Sequence, residues 1–217
     1  MTDFVYSKDE DNVVSILWDV KGKSMNVLTL DGMRNLDKCI DKALNEKDIQ
    51  GIIIGSKKRD FSGGMDLNVL QAMMDDNPTN FSEISFQTIM EIHGILRKLE
   101  LAGGDPNKGK KAIPVVWACP GISAGIGTEI GLACHYRIAA DEPRVKIGLP
   151  EVLVGLFPFG GGTTRLMRMV GAFGSSQILL EGKMLTARNA KLSGLIDEVV
   201  ETAELLSAAK KWLLAAT

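Results

Sequence analysis

The chain is poor in the residues that build disulfide frameworks and zinc sites. Its 217 residues include three cysteines, Cys39, Cys119 and Cys134, and two histidines, His93 and His135. The cysteines show neither close pairing nor the spacing of metal ligands, so we expect no metal site. An odd number of cysteines suits a reducing compartment, and the sequence therefore favours a cytoplasmic protein.

Strong charge and long apolar runs are also missing. The formal net charge is −2, which does not favour binding to nucleic acid or to an anionic membrane surface. No apolar run approaches the roughly 20 residues of a membrane span, and the acidic first eleven residues lack the apolar core of a signal peptide. With 45% hydrophobic and 24% charged residues, the composition is that of a globular protein. We expect a single domain over residues 1–217.

Glycine, in contrast, is abundant and clustered. The chain has 23 glycines, concentrated at residues 63–64, 121–131 and 160–162. Clustered glycine indicates tight turns in which the backbone comes close to another group.

Apolar periodicity predicts alternating strands and helices. Leu36, Ile40 and Leu44 recur at intervals of four, which is typical of a helix with one apolar stripe. The alternation predicts an α/β fold with a substantial parallel sheet. The predicted strands cover residues 13–18, 52–54, 115–118, 136–140 and 145–147, and the predicted helices surround residues 36–44 and cover 81–99, 126–134, 163–170, 174–180, 187–192 and 203–214.

Two glutamates lie next to glycine- and proline-marked turns. Glu129 closes the segment 121–129, which leads from a strand into a helix, and Glu151 directly follows Gly148-Leu149-Pro150. Two carboxylates brought to one pocket suit the addition or removal of water, because one can polarise the water while the other exchanges a carbon-bound proton. An arbitrary pair of glutamates is more often found on solvated loops, so the surrounding residues decide the interpretation.

The same turns offer backbone donors for a developing negative charge. The amide of Ile126 lies in the first turn of a predicted helix, where N–H groups have no internal partner and the helix dipole is positive. The turn at residues 61–66 could supply a second amide. Two donors converging on one oxygen form an oxyanion hole, the site that a thioester enolate requires.

Three segments resemble the crotonase family of enoyl-CoA hydratases and isomerases. Asp60-Phe61-Ser62-Gly63-Gly64-Met65-Asp66-Leu67 is similar to its turn AF-x-x-G-A-D-[IL], and residues 121–129 are similar to G-x-x-x-G-G-G-x-E. Residues 148–166 match a third block that is specific to the family. Within the family, the amino acids at residues 23–28, 132–137 and 179–183 most resemble those of the N-terminal hydratase domain of multifunctional fatty-acid-oxidation α-subunits.

The resemblance implies a ββα spiral fold, a coenzyme A thioester as substrate, and no further cofactor. Carried over position by position, the Met65 and Ile126 amides form the oxyanion hole. Glu129 activates water and Glu151 exchanges the proton at the α-carbon. Residues that align with the coenzyme A adenine pocket are Met25, Met65, Asp66 and Leu67.

The chain departs from the family pattern at two side chains and in length. Met65 stands where alanine is common and Ile126 where glycine is common, which would reshape the acyl pocket but leaves the backbone donors. The C-terminal covering helices of the family are expected to be absent, which indicates a fragment of a longer multifunctional chain or a shortened relative. The resemblance implies a homo-oligomer, typically a trimer, or, in a longer chain, dehydrogenase domains and a thiolase subunit as partners.

Three functions stay open at this stage. The sequence favours a hydratase that adds water to trans-2-enoyl-CoA, giving 3-hydroxyacyl-CoA in fatty-acid β-oxidation, because both carboxylates are present. A Δ3,Δ2-enoyl-CoA isomerase is the alternative from the same family, as an additional or sole activity. A non-catalytic acyl-CoA-binding or assembly module is the alternative from another class.

Overall fold

Strands and helices alternate along the chain, as the sequence predicts. The computed structural model describes residues 2–76 and 79–216, and within these ranges it has eight strands and seven α-helices. The strands are β1 Phe4–Lys8, β2 Val13–Trp18, β3 Gly51–Ser56, β4 Val115–Cys119, β5 Ser123–Ala124, β6 Tyr136–Ala140, β7 Ile147–Gly148 and β8 Glu198–Val200. The helices are α1 Leu30–Leu44, α2 Leu67–Asp76, α3 Phe81–Leu101, α4 Ile126–Leu132, α5 Gly162–Leu180, α6 Ala187–Leu192 and α7 Leu205–Ala216.

Six of the strands form one sheet in the order β1-β2-β3-β4-β6-β8. The β1–β2 pair is antiparallel, and every other pair in this sheet is parallel. Both faces of the central parallel strands are covered. For this reason, hydrophobic residues follow one another without alternation in the buried run Ile52-Ile53-Ile54 of β3. The predicted α/β class with a mainly parallel sheet is confirmed.

Helices cover both faces of this sheet. On one face, α1 is capped at its N-terminus by Thr29, whose hydroxyl accepts a hydrogen bond from the Gly32 amide. This helix buries the stripe Leu36, Ile40 and Ala43 in the main core. On the other face, α7 packs its own buried side chains against those of the central strands. This second cluster contains Leu205, Ala209 and Leu213 of α7 and Val13, Ile53, Val116 and Ile138 of the sheet.

The long helix α5 is interrupted at one glycine. Gly171 adopts φ 74° and ψ 172°, which is not helical, so the helix changes direction there. The sequence predicts two helices, 163–170 and 174–180, on either side of this residue, and the structure places the interruption between them.

Four of the strands and helices in the described ranges were not predicted, among them the two-residue strand β5, which lies within the glycine turn at residues 121–129. Strands β1 and β8 are short and lie at the two edges of the sheet, and helix α2 directly follows the glycine turn at residues 61–66. None of the helices in the described ranges is long and apolar enough to cross a bilayer.

Candidate active site

Three turns that are far apart in the sequence lie side by side in the fold. The Ala124 amide donates to the Ser62 carbonyl at 3.0 Å, and the Gly125 amide donates to the Gly148 carbonyl at 3.1 Å. Ser123 pairs with Ser62 on one side and with Ile147 on the other. The three segments singled out by sequence therefore form one continuous patch of backbone.

An ion pair beneath this patch joins the first two turns. Asp60 Oδ1 accepts from the Ile122 amide at 2.8 Å and from Arg144 Nη1 at 2.7 Å. Arg144 Nη2 also donates to the Arg59 carbonyl at 2.7 Å. A Cβ at Gly121 would overlap Asp60 Oδ1, so only glycine lets the second turn approach the first this closely. Sequence reasoning missed Arg144, which has no motif of its own.

Asn26 fixes the first turn from its other side. This buried side chain accepts from the Val20 amide at 3.0 Å and donates to the carbonyls of Trp18 and Phe61 and to the Ser56 hydroxyl. The backbone carbonyl of Asn26 accepts from the Gly63 amide at 2.8 Å. No role was predicted for Asn26, although it lies inside the family-like segment at residues 23–28.

A cavity of about 290 Å³ opens above the joined turns. Its walls come from the 63–67 turn, the 124–126 turn and the segment after Glu151. The lining residues are Gly63, Gly64, Met65, Leu67, Ala124, Gly125, Ile126, Pro150, Glu151, Leu153, Val154, Leu156 and Phe159.

Both amides of the predicted oxyanion hole belong to residues that line this cavity. Leu28 donates to the Gly64 carbonyl and accepts from the Asp66 amide, and these two residues flank Met65. The Met65 amide therefore takes no part in this pairing. Ile126 is the first residue of α4, where no intrahelical acceptor exists. Neither amide donates to another group in the described part of the chain. Two backbone donors are thus available at the wall of the cavity.

Glu151 brings a carboxylate to the same cavity. Its Oε2 is buried and has no hydrogen-bond partner among the described residues. Burial raises the pKa of the Glu151 carboxyl above its ordinary value. Gly125 allows this position, because it adopts φ 55° and a Cβ there would lie 3.1 Å from Glu151 Oε1.

Glu129 is more deeply enclosed and does not line the cavity. The residue is 1% exposed, and its Oε1 accepts a hydrogen bond from the Gly162 amide at 2.7 Å. Its Oε2 is buried without a partner in the described residues. Burial raises the pKa of Glu129 to about 7, and the nearby Glu151 carboxylate adds to the rise, while the bond from Gly162 opposes it.

Gly160 packs between Glu129 and the cavity wall. A Cβ at Gly160 would lie 2.9 Å from Glu129 Oε2 and 2.7 Å from Ile126 Cδ1. Glu129 follows Ile126 by three residues in α4. The structure places the carboxylate next to Gly160 and Gly162, close enough to Glu151 for the two charges to interact.

The four residues aligned with the coenzyme A pocket gather on one rim. The segment that contains Met25 runs beside the 63–66 turn through hydrogen bonds of Asn26 and Leu28, and a Cβ at Gly63 would lie 2.8 Å from Met25 Sδ. Met65 and Leu67 line the cavity. Asp66 accepts from Lys23 Nζ at 2.8 Å, and this bond lowers the pKa of the Asp66 carboxyl.

A second, almost wholly apolar cavity of about 200 Å³ adjoins the first. The two share Met65, Leu156 and Phe159 as lining residues, so the cavities lie next to each other. Side chains of α3 form its far wall, among them Ser85, Thr88, Ile89 and Ile92. A hydrocarbon chain would fit this lining better than a polar group would.

Two comparisons with known proteins agree with this arrangement. Residues 108–216 match the family model described as Enoyl-CoA hydratase/isomerase. A Geobacillus kaustophilus enoyl-CoA hydratase structure is 26% identical with a TM-score of 0.83, covering 98% of this chain and 73% of its own. A Bacillus anthracis enoyl-CoA hydratase is 25% identical with a TM-score of 0.81, covering 100% and 78%.

A third solved structure shares the fold at lower identity. The human mitochondrial Δ3-Δ2-enoyl-CoA isomerase is 22% identical with a TM-score of 0.83, covering 99% of this chain and 77% of its own. The crotonase-like fold that the resemblance implied is confirmed. On its family match and its fold, the chain belongs to the enoyl-CoA hydratase/isomerase family.

Proposed function

We propose that this protein adds water to trans-2-enoyl thioesters of coenzyme A, giving 3-hydroxyacyl thioesters, as a hydratase of fatty-acid β-oxidation. The observation that carries the proposal is the pair Glu129 and Glu151, one buried and one partly buried carboxyl with raised pKa values, of which Glu151 lines the cavity and Glu129 lies behind its wall. Perturbed carboxyls in a cleft are typical of catalytic acid–base groups.

The two unpaired amides suit the thioester oxygen. A carbonyl oxygen between the Met65 and Ile126 N–H groups gains negative charge as the enolate forms, and both donors then strengthen. Removing one donor of this kind typically costs about 2.7–4 kcal/mol of transition-state stabilisation. Because both donors belong to the backbone, the unusual Met65 and Ile126 side chains leave them in place.

The two carboxyls divide the proton transfers. Ionised Glu129 takes a proton from water as the water oxygen bonds to the β-carbon, and protonated Glu151 gives a proton to the α-carbon. Hydration needs one carboxylate and one carboxylic acid at the start, and the repulsion between the two charges favours a state in which the pair holds one proton, on either glutamate. A pKa of about 7 leaves Glu129 ionised in a useful fraction of molecules at neutral pH.

The two ends of the substrate have separate places. We assign the coenzyme A portion to the rim formed by Met25, Asp66 and Leu67, and the acyl chain to the apolar cavity beneath α3. The reacting carbons then lie between the Met65 and Ile126 amides and Glu151.

Isomerisation of a 3-enoyl thioester to the 2-enoyl thioester is the second candidate. It is favoured by the fact that Glu151 lines the cavity whereas Glu129 is enclosed. A single carboxylate is sufficient for this reaction, because the same group can remove the proton at C2 and return it at C4.

One assay set separates these functions. Loss of crotonyl-CoA absorbance reports hydration, and the appearance of a conjugated thioester from 3-hexenoyl-CoA reports isomerisation. A hydratase loses turnover by orders of magnitude in both Glu129→Gln and Glu151→Gln, whereas an isomerase that needs one acid loses it only in Glu151→Gln. Glu181→Gln, an exposed glutamate at the end of α5, is the matched control.

Binding measured in parallel covers the non-catalytic alternative. Calorimetry with crotonyl-CoA should show binding by the wild type and by both variants. Binding by a wild-type protein that converts neither thioester would contradict the proposed activity and support an acyl-CoA-binding module.

A further inference from the structure

The loop that contacts Glu129 is held from its outer side by an arginine. Arg165, in the first turn of α5, donates from Nη1 to the Gly160 carbonyl at 3.0 Å and from Nη2 to Glu100 Oε2 at 3.1 Å. Its side chain is 13% exposed and faces an outer groove away from the substrate cavity. His93 also contacts this loop from outside, through the Phe159 carbonyl.

The inner side of the same loop surrounds the Glu129 carboxylate. The Gly162 amide donates to Glu129 Oε1 at 2.7 Å, and a Cβ at Gly160 would lie 2.9 Å from Oε2. Arg165 therefore binds the segment Gly160–Gly162 through the Gly160 carbonyl, and the same segment binds Glu129 through the Gly162 amide. Arg165 itself makes no hydrogen bond to Glu129.

Glu100, the other partner of Arg165, is anchored independently. Its carbonyl accepts from His135 Nε2 at 3.0 Å, and its Oε2 also accepts from Arg97 Nη1 at 2.8 Å. His135 Nδ1 accepts from the Val115 amide at 3.0 Å, so the imidazole joins the end of α3 to strand β4. Arg165 thus connects the glycine loop to a fixed point of the sheet.

We propose that Arg165, anchored by Glu100, is a positioning residue that holds the Gly160–Gly162 loop and through it the Glu129 carboxylate in the orientation for proton transfer. The planar guanidinium suits this role, because its fork can donate to two acceptors at once in fixed directions. The catalytic consequence rests on the proposed function, whereas the structural link between Arg165 and Glu129 does not.

Two charged side chains act on Glu129 besides its burial. Glu151, from the segment after β7, raises the pKa of Glu129, and Arg165, from α5, lowers it. Removing Arg165 takes away the favourable charge and also loosens the loop that carries the Gly162 donor. Both effects favour the protonated form, so the pKa of Glu129 should rise further.

The test compares three variants that differ at the two arginines bound to Glu100. Arg165→Met removes the contact with the loop, and Arg165→Lys keeps the charge but not the two-pronged geometry. Arg97→Met is the matched control, because Arg97 binds the same Glu100 oxygen without a hydrogen bond to the glycine loop. Thermal unfolding of each variant shows which of them are folded before the measurements are interpreted.

The first readout is a titration that needs no substrate. Carboxyl-carbon NMR of protein labelled at glutamate follows the Glu129 signal, assigned by its absence from Glu129→Gln. We expect its midpoint to move to higher pH in Arg165→Met, to move less in the same direction in Arg165→Lys, and to match the wild type in Arg97→Met. A wild-type midpoint in folded Arg165→Met, or in Arg165→Lys if only that variant folds, overturns the proposal.

The second readout is the pH profile of turnover. We expect kcat of Arg165→Met to fall on the order of tenfold at pH 6, to recover towards pH 9, and KM to change little. An equal loss of kcat at every pH, with an unmoved titration midpoint, overturns the positioning role. If the wild type turns over neither enoyl thioester, the proposed function fails, and the titration still tests the link between Arg165 and Glu129.

Discussion

Replacing Glu129 with glutamine should make the stability of the protein less dependent on pH. The glutamate is almost wholly buried, and its pKa of about 7 lies above the ordinary value of 4.5. The folded state therefore resists ionisation that the unfolded state accepts. A shift of one pKa unit corresponds to 1.36 kcal/mol. Ionising Glu129 therefore costs about 3 kcal/mol more in the folded state than in the unfolded state.

The sign follows from the raised pKa. Below pH 4.5 the group is protonated in both states and costs nothing. As pH rises from 4.5 through 7, the unfolded state loses its proton first, so the wild type loses about 3 kcal/mol of stability relative to the variant. Above pH 7 the difference is constant.

Urea unfolding of both proteins at several pH values between 4.5 and 8 measures this difference. Glutamine also places a buried NH₂ where Oε2 has no partner, which costs about 1–3 kcal/mol at every pH. That cost shifts the whole curve and does not alter its slope, so the pH dependence is the quantity to compare. Free energies of unfolding that run parallel from pH 4.5 to 8 would refute the raised pKa and the argument built on it.

Three further substitutions test the packing of the site. Asn26→Ala leaves the buried Val20 amide and Phe61 carbonyl unpaired and should cost about 2–4 kcal/mol in urea unfolding, so a loss below 1 kcal/mol would contradict its bridging role. Thr88→Phe fills the apolar cavity and should lower kcat/KM for 2-decenoyl-CoA about tenfold or more relative to crotonyl-CoA, and equal effects on both would place the acyl chain elsewhere. Gly160→Ala brings a Cβ against Glu129 and should reduce kcat about 10- to 100-fold in steady-state assays, whereas the control Gly94→Ala, with no neighbour within 4 Å of the added Cβ, should not.

The central strands and amphipathic helices could be predicted because burial leaves a direct pattern in the sequence. The run Ile52-Ile53-Ile54 and the stripe of Leu36 and Ile40 are examples. Strand β8 has only three residues, all half-buried, at the edge of the sheet, so it leaves no such pattern. Helix α2 starts directly after the turn at residues 61–66, and no element was predicted for its residues.

The sequence predicted which glutamates gather at the site but not how they are held. Glu129 and Glu151 could be found because glycine and proline mark their turns and a family pattern surrounds them. Arg144 and Arg165 act through long-range contacts, with Asp60 and with Glu100, and local spacing carries no information about such contacts. Whether a carboxylate faces the cavity or lies behind it depends on packing, which explains why the enclosed position of Glu129 was not foreseen.

The pairing of Ser62, Ser123 and Ile147 has a consequence for how the site is made and lost. Ser62 and Ser123 are roughly 60 residues apart in the chain, so no short stretch can assemble a part of the site on its own. The paired turns should therefore form late in folding, after the sheet has brought their ends together. In native-state hydrogen exchange, the Ala124 and Gly125 amides should open with the largest cooperative unit of the protein, and exchange of these amides before the central strands would show that the site melts independently.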